Sequence, residues 1–288
     1  RSGPMAEPEA QPVEEEDEEL PAWSLPADAV DRIGIPVEWP ERVDREWAWG
    51  GSTGSGVKVC ILDSGIEAGH PLVGEIQGAW AVSIGEDEEP VVQEDTDGDQ
   101  CGHGTACAGI VRALAPDAEL HSVRVLGAGY TGSGPVLLAG LRWAIDQGFD
   151  VINMSLSTTK KQFAAVLHEL ADSAYFRRTV LVASAHNMPV ESFPWKFSSV
   201  VSVGSHELDD PHMLFSNPRP PVEFFARGVD LDVAWLGGST IRVTGNSFAT
   251  PHVSGFCALV LGKHPELTPF QLKSVLYLVS NNVGGGSG

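Results

Sequence analysis

From residue 57 onward the chain sets short β-branched, apolar runs beside stretches with helical spacing, and this alternation limits its possible folds more than any other feature. The runs are Val57–Leu62, His121–Val125, Val151–Met154, Val180–Ala183 and Val200–Val203. Short, mostly apolar runs mark strands covered on both faces. Between them, Pro135–Gln147 opens with a proline after Ser133-Gly134 and stops at Gly148, which suits the two ends of a helix. Phe163–Phe176 carries Phe163, Val166, Leu167, Leu170 and Ala174 at helical spacing, and Thr268-Pro269 opens a last helix to about Ser280. The order predicts an α/β fold with a mainly parallel central sheet flanked by helices on both faces. In such sheets reactive groups gather beyond the C-terminal ends of the strands.

With 288 residues, 42% of them hydrophobic, the chain can bury one large core. No run of eighteen apolar residues is present, so no membrane span is predicted. No signal peptide is visible. Arg1-Ser-Gly-Pro and Gly284-Gly-Gly-Ser-Gly read as cloning remnants, however, so a removed leader stays open. The net charge of −21 would repel nucleic acid. Residues 1–20 hold eight acids against Arg1, leaving −7 there and −14 elsewhere, and such a run is expected to stay solvated and disordered. The expected layout is an acidic extension over 1–34, one α/β domain over 35–283, and a flexible tail over 284–288.

Cys60, Cys101, Cys107 and Cys257 are too few for a disulfide scaffold and read as buried free thiols, although a Cys101–Cys107 bridge stays open. No CxxC or HExxH spacing points to zinc.

Three polar residues close buried-looking elements. Asp63 ends the run Cys60-Ile-Leu-Asp63-Ser-Gly-Ile66, His103 lies in Gly102-His103-Gly104-Thr105, and Ser247 heads the helical stretch Phe248–Lys263. Each alone suits a structural role, as a turn acid, a buried histidine and an N-cap serine. Together they are the parts of acyl transfer. A serine hydroxyl becomes nucleophilic when histidine takes its proton, and a carboxylate fixes the tautomer of that histidine. A helix N-terminus under the serine also favours the oxyanion formed there.

The stretches Val59–Ile66, Gly102–Gly109 and Gly245–Gly255 resemble, in this order, the aspartate, histidine and serine motifs of the subtilisin-like serine proteases. The resemblance implies a serine endopeptidase working through an acyl-enzyme on peptide or protein substrates, without a cofactor for the chemistry. Asp63, His103 and Ser247 would form its triad. Asn187, after Val180–Ala183, matches the family's oxyanion asparagine. Substrate would lie as an added strand between Asn153–Ser157 and Leu126–Gly132. Ser155, Leu156, Ser157, Gly129 and Tyr130 are therefore the substrate-wall candidates, while Val125 and Leu126 are expected to pack in the core. The same acyl-enzyme could pass to a peptide amine, making a ligase or macrocyclase, and an inactive peptide-binding relative is the non-enzymatic alternative.

The chain departs from the family at several points. His186 stands where a glycine usually precedes the oxyanion asparagine, and Asn246 where threonine commonly precedes the nucleophile. Ser157-Thr158-Thr159 replaces paired glycines. The calcium loop many relatives insert after the histidine is missing from Gly109–Pro116, while Asp95, Asp97 and Asp99 around Gly98 offer an alternative site for structural calcium. Only a short stretch precedes the first strand in place of a folding prodomain, and Trp23-Ser-Leu-Pro26 could act as an inhibitory extension. Unpaired thiols and the missing leader favour the cytoplasm. The oligomeric state is unknown from the sequence.

Overall fold

All five apolar runs are strands, and four further strands complete the same sheet. The computed structural model describes residues 20–34 and 37–283. Its strands are β1 (Lys58–Asp63), β2 (Gly78–Ile84), β3 (Pro90–Glu94), β4 (Glu119–Arg124), β5 (Val151–Met154), β6 (Val180–Ser184), β7 (Val201–His206), β8 (Phe215–Ser216), β9 (Phe224–Arg227), β10 (Leu231–Trp235) and β11 (Ser239–Val243). The helices are α1 (Arg45–Trp49), α2 (His103–Leu114), α3 (Gly134–Asp146), α4 (Ala164–Phe176), α5 (Asn246–Lys263) and α6 (Pro269–Leu278).

The chain divides into two compact units, Arg1–Glu38 and Trp39–Gly288. In the first, Ala27–Arg32 forms a short 3-10 helix behind Pro26, with an Asp28–Arg32 ion pair at 2.9 Å. The acidic run over residues 7–19 and the tail over 284–288 lie outside the described residues.

The second unit holds the sheet, in the order β3-β2-β4-β1-β5-β6-β7-β9-β8. The seven strands from β2 to β9 pair in parallel, and β3 and β8 add antiparallel edges. Sequence order reverses at β1, which lies between β4 and β5, and a crevice opens at such a switch point. Alternation along β1 sorts its side chains. Cys60 and Leu62 join the core formed with Leu137 and Leu141 of α3 and Leu167 and Leu170 of α4. Val59, Ile61 and Asp63 therefore face the opposite layer. There α2 and α5 pack together, with the β10–β11 hairpin against α2.

Local chemistry explains the helix ends. The Ser133 side chain accepts from the Val136 N–H, Pro135 occupies the first turn, and Gly148 takes φ +70° beyond the end of α3. Thr268 and Gln271 form a reciprocal capping box at the start of α6. The starts of two further helices bear on the polar residues singled out above. α2 starts at His103, and α5 at Asn246, so the histidine and the serine both belong to first turns. Every residue of α5 from Ser247 to Leu261 is buried, which makes it the central helix of its layer.

Candidate active site

Asp63 ends β1 fully buried, and its carboxylate faces the first residue of α2. His103 Nδ1 lies 2.9 and 3.0 Å from the two Asp63 oxygens. An ionised carboxylate only accepts, so Nδ1 carries the proton and Nε2 is left free to take one. Burial opposes charge on this imidazole, but the Asp63 carboxylate and the Cys107 sulfur together raise the His103 pKa well above its ordinary value.

Two glycines let α2 come this close. Gly102 caps the helix at φ +95°, a conformation disfavoured for side-chain-bearing residues. A side chain on Gly104 would run into the Gly65 carbonyl. The join is secured by Asp99. Its Oδ1 accepts from the Ser64 hydroxyl and the N–H groups of Cys101 and Gly102, and its Oδ2 accepts from the Thr105 N–H and hydroxyl. Ser64 in turn accepts from the Gly104 N–H at 2.9 Å. One carboxylate thus ties the loop after Asp63 to the helix that carries His103.

The three acids offered for calcium are not brought together. The Asp95 carboxylate pairs at both oxygens with Arg124, at 2.9 and 3.0 Å, and Asp97 meets the same guanidinium at 3.1 Å. Asp99 points away to the start of α2. The three acids therefore form no shared oxygen cage, because a fixed cation and a helix N-terminus already engage them. Among the described residues, the one trio with ligand atoms within 4.8 Å of one another is Asp63, His103 and Cys107. All three are buried, burial pushes the Cys107 thiol up, and His103 Nδ1 is held by Asp63. This arrangement suits proton traffic better than a cation.

Ser247 lies one residue inside α5 and is 9% exposed. Proline 251 has no N–H to give the Ser247 carbonyl. The Ser155 hydroxyl donates to that oxygen instead at 2.7 Å, and the Cys107 thiol does so at 3.7 Å. Ser155 itself accepts from the Asn153 amide, whose oxygen accepts from Ser254. A buried polar chain therefore joins β5 to α5 at the turn that carries Ser247. The Ser247 hydroxyl makes no hydrogen bond to His103 among the described residues. Its oxygen moves with rotation about χ1, and such contacts commonly tighten only when substrate binds.

Asn187 stands beside this turn. Its Oδ1 accepts from the Asn246 N–H at 2.9 Å, which fixes the amide's orientation and leaves the NH2 end without a protein acceptor among the described residues. Asn246 is fully engaged: its oxygen accepts from the Ser205 N–H and hydroxyl, and its NH2 donates to the Ala185 and His186 carbonyls. The His186 ring turns back on its own loop, with Nδ1 accepting from the Met188 N–H at 3.0 Å, so it leaves Asn187 undisturbed.

A cleft of about 360 Å³ leads to Ser247 and Asn187. Ser155, Leu156 and Ser157 form one side, and Tyr130, Thr131 and Gly132 another. Gly129, expected on this wall, does not line it. The residue sits exposed in a tight turn, closed by the Gly127 N–H to the Thr131 carbonyl at 2.9 Å, and its place is taken by the residues after it. Val125 packs in the core as expected, and Leu126 is half-buried against it. All four cysteines are free, with Cys101 half-buried rather than buried. Sequence reasoning missed the roles of Asp99 and Cys107. Cys107 follows His103 by four residues, which places it on the same helix face, and that spacing was the available signal.

Residues 54–286 match the sequence pattern of the Subtilase family. The chain belongs to this family. It is 34% identical over 266 residues to subtilisin DY of Bacillus licheniformis, covering 87% of this chain and 92% of that one. To subtilisin Savinase of Lederbergia lenta it is 35% identical over 245 residues, covering 81% and 87%. Among solved structures it resembles a cold adapted subtilisin-like serine proteinase, with a TM-score of 0.62 and 26% identity over 77% of this chain and 81% of that one. This subtilase is thus a serine endopeptidase of the subtilisin-like fold, acting on peptide or protein substrates. Subtilase catalysis needs no cofactor. Kinship with the subtilisins, a secreted class, overturns the cytoplasmic location expected from the thiols and missing leader. No described helix is long and apolar enough to cross a membrane.

Proposed function

We infer that this subtilase hydrolyses peptide bonds through an acyl-enzyme on Ser247. Ser247 attacks the scissile carbonyl. His103 takes the hydroxyl proton at Nε2 and returns it to the leaving amine, while Asp63 holds the imidazole in that tautomer. The Asn187 NH2 and the Ser247 N–H, at the positive end of α5, receive the oxyanion. Water then enters and releases the acyl group. The observation that carries this reading is the buried Asp63–His103 pair at 2.9 Å, with α2 held against the first turn of α5.

The oriented amide of Asn187 favours an active enzyme over an inactive peptide binder, since His186 leaves it undisturbed. A small fluorophosphonate tests the assignment by modifying the serine directly. Labelling is expected in the wild-type protein and lost in Ser247→Ala. Folded protein that takes no label would sink it.

A further inference from the structure

Just beyond β5, the Ser155 carbonyl lies at the cleft and receives no backbone N–H among the described residues. Its donor is a side chain from the opposite wall, the Tyr130 hydroxyl, at 2.6 Å. A peptide added as a strand pairs its own N–H groups with edge carbonyls of this kind. The tyrosine therefore occupies an acceptor that a peptide laid between residues 126–132 and 153–157 would use, and its ring spans the channel between them. On the way the ring covers the His103 imidazole, with the centroids 4.3 Å apart and the planes tilted by 51°.

The loop can hold its shape while the ring leaves. Tyr130, at φ +53°, donates its N–H to the Gly127 carbonyl at 3.0 Å, and the Gly127 N–H reaches the Thr131 carbonyl at 2.9 Å. Backbone bonds thus close the turn without help from the side chain. Tyr130 is 39% exposed, so rotation about χ1 can carry the ring toward solvent without opening the core. We propose that Tyr130 is a self-inhibitory latch, which closes the substrate channel in the free subtilase and yields the Ser155 carbonyl to an incoming peptide. Closed and open forms then interconvert, and the closed fraction weakens the apparent affinity for peptide. The inference rests on the roles proposed above for Ser247 and His103, which supply the reaction being gated.

Peptide hydrolysis compared with hydrolysis of p-nitrophenyl acetate tests it. The ester needs the hydroxyl and the imidazole but has no N–H to place on Ser155. Tyr130→Phe removes the latch bond and keeps the ring, whereas Tyr130→Gly, whose backbone suits φ +53°, removes both. The ratio of peptide to ester kcat/KM is expected to rise about threefold to tenfold in Tyr130→Phe, through a lower peptide KM. Tyr130→Gly should raise it at least as far. A ratio that stays level in Tyr130→Phe, falls in Tyr130→Gly, or rises through kcat alone would overturn the latch. Fluorophosphonate labelling of the same preparations reports on Ser247 alone. Full labelling with a level ratio rejects the role of Tyr130, whereas absent wild-type labelling rejects the catalytic assignment itself.

Discussion

Ser155 donates its hydroxyl proton to the Ser247 carbonyl at 2.7 Å, filling the vacancy that Pro251 leaves in the helix. The proposed nucleophile's turn is therefore fixed from β5 rather than from within α5. In Ser155→Ala a buried carbonyl keeps only the long thiol contact from Cys107, and the Asn153 amide loses an acceptor. The cost should be about 1–3 kcal/mol, read as a lower Tm, with a fall in kcat as the turn loosens. An unchanged Tm and kcat would show that this bond positions nothing.

Asn187 offers a sharper split between binding and chemistry. Its free NH2 has no charge to meet until the tetrahedral intermediate forms, so Asn187→Ala should lower kcat by about 100- to 1000-fold and leave KM nearly unchanged. A rise in KM with constant kcat would place the side chain in ground-state binding instead.

The acid limb of activity should follow His103. A base works only when neutral, and the raised His103 pKa puts half-activity above the ordinary histidine value. Asp63→Asn removes the charge that raises it. The limb of the kcat/KM profile should then move to lower pH while turnover drops by about four orders of magnitude. A limb that stays in place would mean another group sets it.

Asp95 and Arg124 carry the stability prediction. The Asp95 side chain is fully buried and its partner is 19% exposed, so Arg124→Met strands a carboxylate in the interior. The loss should be about 3–5 kcal/mol in denaturant unfolding. Arg124→Met with Asp95→Asn should recover much of it. Absence of recovery would locate the loss in packing rather than charge.

The central strands and α3, α4 and α6 were legible because apolar runs and end signals coincide there. The edges were not. β2 and β3 are only partly buried, and their sequences lack the dense apolar run that revealed β1. The β10–β11 hairpin did carry a signal, an uneven Leu231–Trp235 and Ser239–Val243 pattern around Gly237-Gly238, of the kind that marks a half-covered ribbon. Asp99 was misread for a physical reason. Alternating acids around a glycine look alike whether they face a cation or a helix terminus, and the deciding partners, Ser64 and Thr105, belong to other motifs. Gly129 was expected on the cleft wall and is not there, because sequence does not reveal which side of a five-residue turn faces a groove.

The order of parts along the polymer governs when cutting can begin. The acid leaves the ribosome with the first strand and the imidazole soon after, while the proposed attacking hydroxyl rides on a buried helix made after the whole nine-stranded sheet. A copy that stops short of that helix lacks the hydroxyl, so peptide cleavage waits on an element made after the sheet that carries its partners.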